Sequence, residues 1–330
     1  MMRALIHTEY GDAERLSVGT VAKPAPGPGE VLIEVRAASV NTADVFQMRG
    51  VPRAVRMGNG VRRPRRTVLG HDLAGVVAEL GEGVTSIAVG DRVFGEGIAA
   101  FAEFAVARAD RLARVPEGMC SEHAASLPMA GLTALKAMEV ARVQPGQRVV
   151  VTGAAGGVGQ FALQLAKLRG AYVIAVCSGR NVDRVRELGP DEVIDYETQD
   201  VLATIGTCDV IIDNAGGIRI KDWRGIVPKG GVILPNAGVR GPDGGALMRV
   251  AKAQWHSIVA PQRVGTFLSK TNSAGLAHIG ELAASGHIRP LVDTMFTLDH
   301  APEALARVGT HHARGKVIVT MDEGHKEARP

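Results

Sequence analysis

Val149-Val-Val-Thr-Gly-Ala-Ala-Gly-Gly-Val-Gly-Gln-Phe-Ala-Leu-Gln-Leu-Ala-Lys-Leu168, followed by Tyr172-Val-Ile-Ala-Val176, is the stretch that decides the fold. The run Val149–Val151 is wholly apolar and β-branched, as in a strand covered on both faces. Val158, Phe161, Ala162, Leu165 and Leu168 then recur at helical spacing, and Tyr172 to Val176 is a second apolar strand. Between the first strand and the helix, Gly153, Gly156 and Gly159 fall at steps of three. Glycines there permit a tight turn and let backbone N–H groups approach a pyrophosphate, with the orphan donors of the helix start behind them. A glycine triplet alone is a weak signal, but here the strand, the helix and the next strand are all in place.

Outward from this unit the alternation continues. A short helix is expected over Val182 to Leu188, then strands at Glu192–Asp195, Asp209–Ile212 and Val232–Leu234. Strand and helix in alternation argue for a parallel, doubly wound sheet. The first third of the chain reads differently. Val31, Ile33, Val35 and Ala37 alternate with Glu34 and Arg36, so one face of that strand is expected buried and the other wet. Residues 71–96 read as strand, turn, strand, and Gly- and Pro-rich turns recur at short spacing, which suggests a small barrel or sandwich. Helical spacing covers 121–141, and the last stretch predicts a helix near 273–285 and strands near 291–298 and 316–320. The expected division is a first domain over 1–122, a dinucleotide-binding domain over 123–266, and a return to the first domain over 267–330.

Composition narrows the function. With 46% hydrophobic and 22% charged residues the chain is an ordinary globular protein. The net charge of +4 owes much to Arg53, Arg56, Arg62, Arg63, Arg65 and Arg66, a stretch with no interleaved aromatic residue for base stacking. That stretch reads as a solvated loop, or as one near an anionic cofactor or substrate, and nucleic acid is not an expected partner. Cys120, Cys177 and Cys208 are scattered and odd in number, so no disulfide framework is expected. No segment reaches the ~18 apolar residues of a membrane span, and the N-terminus turns polar at once. A cytoplasmic protein without a membrane partner is the expectation.

The end of the second strand of the central unit bears on the cofactor. Enzymes that use NAD place a carboxylate there to hold the ribose hydroxyls. This chain has Cys177-Ser-Gly-Arg-Asn181, with no acidic residue before Asp183. Ser178 can donate to a phosphate and Arg180 can pair with it, which favours the 2′-phosphate of NADPH. The alternative for Arg180 is an exposed arginine at a helix start.

These features, with Ala38-Ser-Val-Asn-Thr-Ala-Asp44, Gly70-His-Asp-Leu-Ala-Gly75, Val89-Gly-Asp-Arg-Val93, Leu127-Pro-Met-Ala-Gly-Leu-Thr-Ala134, Val193-Ile-Asp-Tyr196, Asp213-Asn214 and Ala313-Arg-Gly-Lys316, resemble the medium-chain dehydrogenase/reductase superfamily. The similarity is to its zinc-free quinone oxidoreductase branch, in the subgroup of reticulon-4-interacting protein-like oxidoreductases. The resemblance implies an α/β protein with a GroES-like β-barrel catalytic domain and an inserted Rossmann domain. It implies hydride transfer from NADPH to a small quinone or α,β-unsaturated carbonyl, or alternatively an enoyl or alkenal reductase. A protein that binds NADPH as a sensor or partner without efficient turnover is the reading from another class. The resemblance places Asn41 and Thr133 at the nicotinamide end as catalytic candidates. It places Gly156, Gly157 and Val158 at the pyrophosphate, and Ser178, Arg180 and Tyr196 around the adenosine phosphate. Asn214 and Gly216 would pass beneath the cofactor, with Phe267 and Arg314 closing over it. Thr133 and Asn214 also have bland readings, a pinned helix turn and a held turn.

A catalytic zinc needs three protein ligands. Zinc enzymes of the superfamily place cysteines where this chain has Asn41 and, in many, Met129, and their four-cysteine lobe is missing. No metal is expected, and His71 is expected as a structural or cleft histidine, with proton donation as a second reading. A homodimer is also expected, because Gly231-Val-Ile-Leu-Pro-Asn-Ala-Gly-Val239 is apolar and Pro235 suits a sheet edge.

Overall fold

In the computed structural model, which describes residues 1–236 and 246–321, the elements follow the chain as β1 (Met2–Ile6), β2 (Ser17–Val21), β3 (Glu30–Val40), α1 (Thr42–Arg49), α2 (Ala54–Asn59), β4 (Asp72–Leu80), β5 (Arg92–Glu96), β6 (Phe104–Arg108) and β7 (Leu112–Arg114). Next come α3 (Ser121–Ser126), α4 (Pro128–Ala141), β8 (Arg148–Thr152), α5 (Gly159–Leu168), β9 (Tyr172–Cys177), α6 (Val182–Arg186), β10 (Glu192–Asp195), α7 (Val201–Ile205), β11 (Val210–Asp213), α8 (Ile220–Trp223) and β12 (Val232–Pro235). The chain ends with α9 (Ala246–Val259), β13 (Arg263–Val264), α10 (Ser273–Ala284), β14 (Val292–Thr297), α11 (Ala301–Gly309) and β15 (Lys316–Thr320). Two compact units result: Met1–Leu132 with Lys270–Gly286 and the chain from Pro290 onward, and Thr133–Ser269 with His287–Arg289.

The first unit is built on one long mixed sheet in the order β14-β15-β3-β4-β5-β7, with β6 also paired to β3. Its centre is β3, which pairs antiparallel with β15, β4 and β6. The expected alternation holds at the residues it named, with Val31, Ile33, Val35 and Ala37 buried and Glu34 and Arg36 less so, and the crowding buries further residues. Leu32 is fully buried beside Val31 and Ile33, and Ala37 to Val40 are buried without a break. Register shifts between Leu32 and Ile33 and between Val35 and Ala37 turn the strand, so two faces are covered at its ends. The core joins Val31, Ile33, Leu73 and Val93 from the sheet and Phe101 from the loop before β6 to Met48 of α1, Leu305 of α11 and Val317 and Val319 of β15. The helix expected over 121–141 breaks at Pro128 into α3 and α4, and α3 lies against β3 and β4. The compact first unit therefore runs to Leu132, where the sequence pattern suggested a break after 122. The arginine-rich stretch contains α2, with Arg53, Arg62, Arg63, Arg65 and Arg66 exposed. Arg56 instead turns inward, donating to Gly50 O and lying 4.5 Å from the centre of the Tyr10 ring.

The second unit carries a six-stranded sheet in the order β10-β9-β8-β11-β12-β13, every pair parallel. Renumbered from β8, this is the 3-2-1-4-5-6 order of the doubly wound dinucleotide fold. Chain direction across the sheet reverses between β8 and β11, where Thr152 stands opposite Asp213. Ligands of such sheets bind outside the carboxyl ends of the strands at that reversal. Val150, Ile174, Ile194, Ile211, Ile233 and Trp223 fill its core. The sequence expectation for the sheet edge is corrected here. β12 is interior, paired with β11 on one side and β13 on the other, because residues 263–264 return to cover it. The last part of the expected edge, 237–239, lies outside the described residues. No described helix is long and apolar enough to cross a membrane.

Candidate functional site

In the second unit the glycine loop runs from Thr152, the last residue of β8, to Gly159, the first of α5. Gly153 has φ +60°, open to glycine and costly for a side chain. Gly159 is required by contact: a Cβ there would lie 2.1 Å from Gly153 O. The loop thus folds onto the first turn of α5, with Gly156 N–H closing it on Gly153 O at 2.8 Å. Gly156, Gly157 and Val158 remain partly exposed at the start of a ten-residue helix. That is the arrangement a pyrophosphate needs.

Beneath the loop is a buried polar knot that the sequence did not single out. Thr152 Oγ1 donates to Asp213 Oδ1 at 2.5 Å and accepts from Ala215 N at 3.1 Å. Gly216 N–H and Trp223 Nε1–H also donate to the Asp213 carboxylate, at 2.9 and 3.1 Å. Arg249 of α9 forms an ion pair with Asp213 and donates to Gly216 O at 3.0 Å. Both charged side chains of this pair are at most 3% exposed. Breaking such a pair on one side leaves an uncompensated buried charge, so the knot fixes the turn after β11 at the sheet's reversal. Asn214, a sequence candidate, spans that turn: its amide donates to Thr152 O at 3.2 Å and its oxygen accepts from Asn236 at 2.8 Å. Gly216 is buried in the same turn.

At the ends of β9 and β10 the structure brings together Ser178, Arg180 and Tyr196. Asp195 stands opposite Cys177, and Tyr196 N–H donates to Cys177 O, so both segments leave the sheet at one point. Ser178 is 4% exposed and its Oγ accepts from Asn181 at 2.9 Å, which leaves its own proton to donate. Arg180 is exposed and Tyr196 is 53% exposed. The same place holds two carboxylates, Asp195 and Glu197, that a scan of the segment after β9 does not find. Glu197 Oε2 accepts from Gly179 N at 3.1 Å. Thr133 and Phe267 are half-buried, in α4 and after β13.

The first unit has a polar cluster of its own around Asn41. Asn41 is the N-cap of α1, where its side chain and that of Asp44 form a reciprocal capping box. The Asn41 carboxamide is engaged at both ends. Nδ2 donates to Asp72 Oδ2 at 2.9 Å and to Ser39 O at 3.3 Å, and Oδ1 accepts from Lys316 Nζ at 2.5 Å. Lys316 also stands 3.8 Å from Asp72 Oδ2. His71 Nδ1 lies 2.7 Å from Asp44 Oδ1, and His71 Nε2 lies 3.0 Å from Gln47 Nε2. In the tautomer with Nδ1–H toward Asp44, Gln47 donates to Nε2. Burial pushes the Asp72 carboxyl up to about 6, even though Lys316, Asn41 and Met129 N–H all favour its charged form. Burial likewise lowers the Lys316 ammonium from its ordinary value. For His71, burial acts downward, but the hydrogen bond and charge of Asp44, with Asp72 and Glu96 behind it, bring the imidazole above its ordinary value. Arg314, two residues before Lys316, is half-buried.

A divalent ion would require three converging ligands here. Among the described residues no group of three His, Cys, Asp or Glu side chains is placed to hold one. His71 is bound to Asp44 and Gln47, while Asp72 and Asn41 converge on the ammonium of Lys316, which already supplies the cation. The donor set does not fit zinc.

A six-stranded parallel sheet with a glycine loop at its reversal, in a chain that also folds a GroES-like unit, defines an NAD(P)-binding dehydrogenase/reductase fold. Residues 27–117 match the alcohol dehydrogenase GroES-like domain and residues 188–319 the zinc-binding dehydrogenase family. The chloroplastic quinone-oxidoreductase QR1 of Triphysaria versicolor is 31% identical over 97% of this chain and 98% of its own length. The mitochondrial NAD(P)H oxidoreductase RTN4IP1 of Mus musculus is 32% identical over 97% of this chain and 89% of its own. The solved structure of the quinone oxidoreductase from Coxiella burnetii superposes with a TM-score of 0.87 at 29% identity, over 97% of this chain and 99% of that one. The chain belongs to the medium-chain dehydrogenase/reductase superfamily, among its quinone oxidoreductase and RTN4IP1-like members.

Lys316 is the only cation within bonding reach of Asn41 and Asp72 in the contacts described, which makes its removal informative. Lys316→Met is expected to destabilise the protein by about 3–5 kcal/mol, the usual cost of orphaning a buried charge. The loss should grow with pH. The folded pKa of Asp72 is raised from 3.8 to about 6, so its share of stability is full below about 4 and is lost as pH rises through 6. Without Lys316 the carboxyl rises further and the loss extends to higher pH. Denaturant unfolding of both proteins at pH 5 and pH 8 checks this, and an equal difference at the two values rejects it.

Proposed function

We propose that this chain is an NADPH-dependent reductase that delivers a hydride to a quinone or an α,β-unsaturated carbonyl without a resident metal. The observation that carries the reading is Lys316, whose buried ammonium bonds Asn41, the position where the superfamily's zinc enzymes place a cysteine, and faces Asp72. With no Lewis acid to polarise an isolated carbonyl, a conjugated acceptor suits the site, because the charge that develops spreads over the whole system. Bound nicotinamide supplies the hydride, which is the cofactor's own chemistry.

The chain's residues orient and hold. The amides of Gly156, Gly157 and Val158, partly exposed, would meet the pyrophosphate, and Ser178, Arg180 and the exposed Tyr196 would surround the adenosine 2′-phosphate. The knot of Thr152, Asp213 and Arg249 keeps the turn of Asn214 and Gly216 in place under the cofactor. Thr133 is the hydroxyl donor assigned to the acceptor oxygen. Asn41, engaged at both ends, acts by positioning: it ties α1 to Asp72 and Lys316. Phe267 and Arg314 are assigned to closing over the nucleotide. Steady NADPH oxidation with a panel of quinones and enones, unchanged by a chelator, is the expected result. Turnover abolished by chelation rejects the metal-free reading. Tight NADPH binding without turnover on any acceptor favours a sensor, and turnover confined to enoyl thioesters favours a biosynthetic enoyl reductase.

The cofactor assignment has its own test. A hydrogen bond to a charged group is worth roughly 1.5–3 kcal/mol, so Arg180 alone supports about a 10- to 150-fold preference for NADPH over NADH. Arg180→Ala is expected to weaken NADPH binding and barely touch NADH. Equal weakening of both would remove Arg180 from phosphate recognition.

We also infer a homodimer. β13 closes the sheet with only Arg263–Val264, and α9 in the same unit exposes Met248, Trp255, Ile258 and Val259, at 55%, 64%, 80% and 48%. An edge open among the described residues, beside an apolar helix face, is a liability that a second copy, paired edge to edge, removes. Sedimentation is expected to give a dimer mass, shifted toward monomer by Ile258→Asp. A single monomer mass for the unaltered protein at all concentrations overturns the inference.

A further inference from the structure

We propose that Glu197 is a specificity-determining residue that opposes the 2′-phosphate and holds down the preference for NADPH. The proposal rests on the reading that the turn after β9 receives the adenosine end of the dinucleotide.

The parallel pairing of β9 and β10 ends with Cys177 opposite Asp195, so the segments 178–180 and 196–198 emerge side by side. The second folds against the first. Glu197 N–H donates to Asp195 Oδ1 at 3.0 Å, and the Thr198 hydroxyl donates to Asp195 Oδ2 at 3.1 Å. This brings the Glu197 carboxylate onto Gly179 N–H at 3.1 Å, one residue from Ser178 and one from Arg180. The approach is close: a Cβ at Gly179 would lie 2.7 Å from Asp195 Oδ2 and 3.4 Å from Glu197 Oε2. Of the two carboxylates, Asp195 is occupied in holding its own loop, while Glu197 is exposed and reaches the turn directly.

Cation and carboxylate at this turn act in opposite directions. A carboxylate accepts a hydrogen bond from a free ribose hydroxyl and so favours NADH. It repels a phosphate, which carries a charge of about −1.5 to −2. Arg180 favours the phosphate for the converse reason. The net preference is therefore smaller than Arg180 alone would set, and Glu197 is the residue that reduces it.

Dissociation constants for NADPH and NADH, titrated without acceptor for the unaltered protein, Glu197→Gln, Arg180→Ala and the double variant, test the proposal. In Glu197→Gln the affinity ratio is expected to move toward NADPH by about tenfold, or ~1.4 kcal/mol. NADPH tightens, NADH weakens slightly, and the shift shrinks as salt rises. Glu197→Lys should carry the ratio further. An unchanged ratio, or equal loss for both nucleotides, overturns the proposal, as does failure to bind either nucleotide. The assignment of Arg180 fails separately, when Arg180→Ala weakens both cofactors alike. A salt-sensitive ratio shift in Glu197→Gln beside that result still supports Glu197, because it is read from that variant alone. A thermal transition matching the unaltered protein identifies each variant as folded.

Discussion

The ammonium of Lys316 is the constraint around which the first unit is arranged. It is at most 3% exposed, it meets Asn41 Oδ1, and it lies across from a carboxylate, Asp72, that burial disfavours as an ion. Lys316 and Asn41 are 275 positions apart in the chain. They meet because β15 pairs antiparallel with β3, setting Val317 opposite Val40, so the two ends of the chain close one sheet with the second unit's sequence inserted between them. Once that sheet closes, Asn41 caps α1, α1 presents Asp44 to His71, and Asp72 at the start of β4 is fixed by Asn41 and Met129 N–H.

The second unit solves a similar problem with another buried pair. Asp213 and Arg249 bind the turn after β11 to α9, and Thr152 links the same carboxylate to the glycine loop. In both units a buried charge is held by several donors at once, which is the condition under which such a charge fixes a geometry instead of being expelled or neutralised. The glycine loop depends on this. Its close approach at Gly159 brings backbone onto backbone, and the knot beneath keeps the neighbouring turn from drifting.

On the proposed reading, the cluster around Asn41 contributes by positioning and not as a set of exposed polar groups. Asn41 is almost wholly buried and bonded internally, so its contribution is to set α1 and the Asp72–Lys316 pair. The groups that reach the surface are the loop residues 156–158, Arg180, Tyr196 and Glu197, beside the buried Ser178 hydroxyl that accepts from Asn181. That division is physically sensible: a hydride donor needs orientation and exclusion of water, and recognition of a charged nucleotide needs accessible cations and N–H groups.

By itself the sequence determined the doubly wound unit, because Val149–Val151, the glycine triplet and the helical spacing after Gly159 are local patterns that need no partner to be read. The same local logic made Ser178, Arg180 and the loop glycines legible as binding candidates, and the alternating strand at Val31–Ala37 visible as part of a sheet. What only the tertiary structure decided was pairing across distance. Strand order made β12 interior, although Pro235 reads locally as an edge residue. The motif ending in Lys316 is visible as a string, but its ammonium acquires a role only when β15 lies on β3. Glu197 reads as an ordinary loop residue until β10 pairs with β9 and sets its carboxylate on Gly179, because electrostatic partners are chosen by distance in space and not by order along the chain.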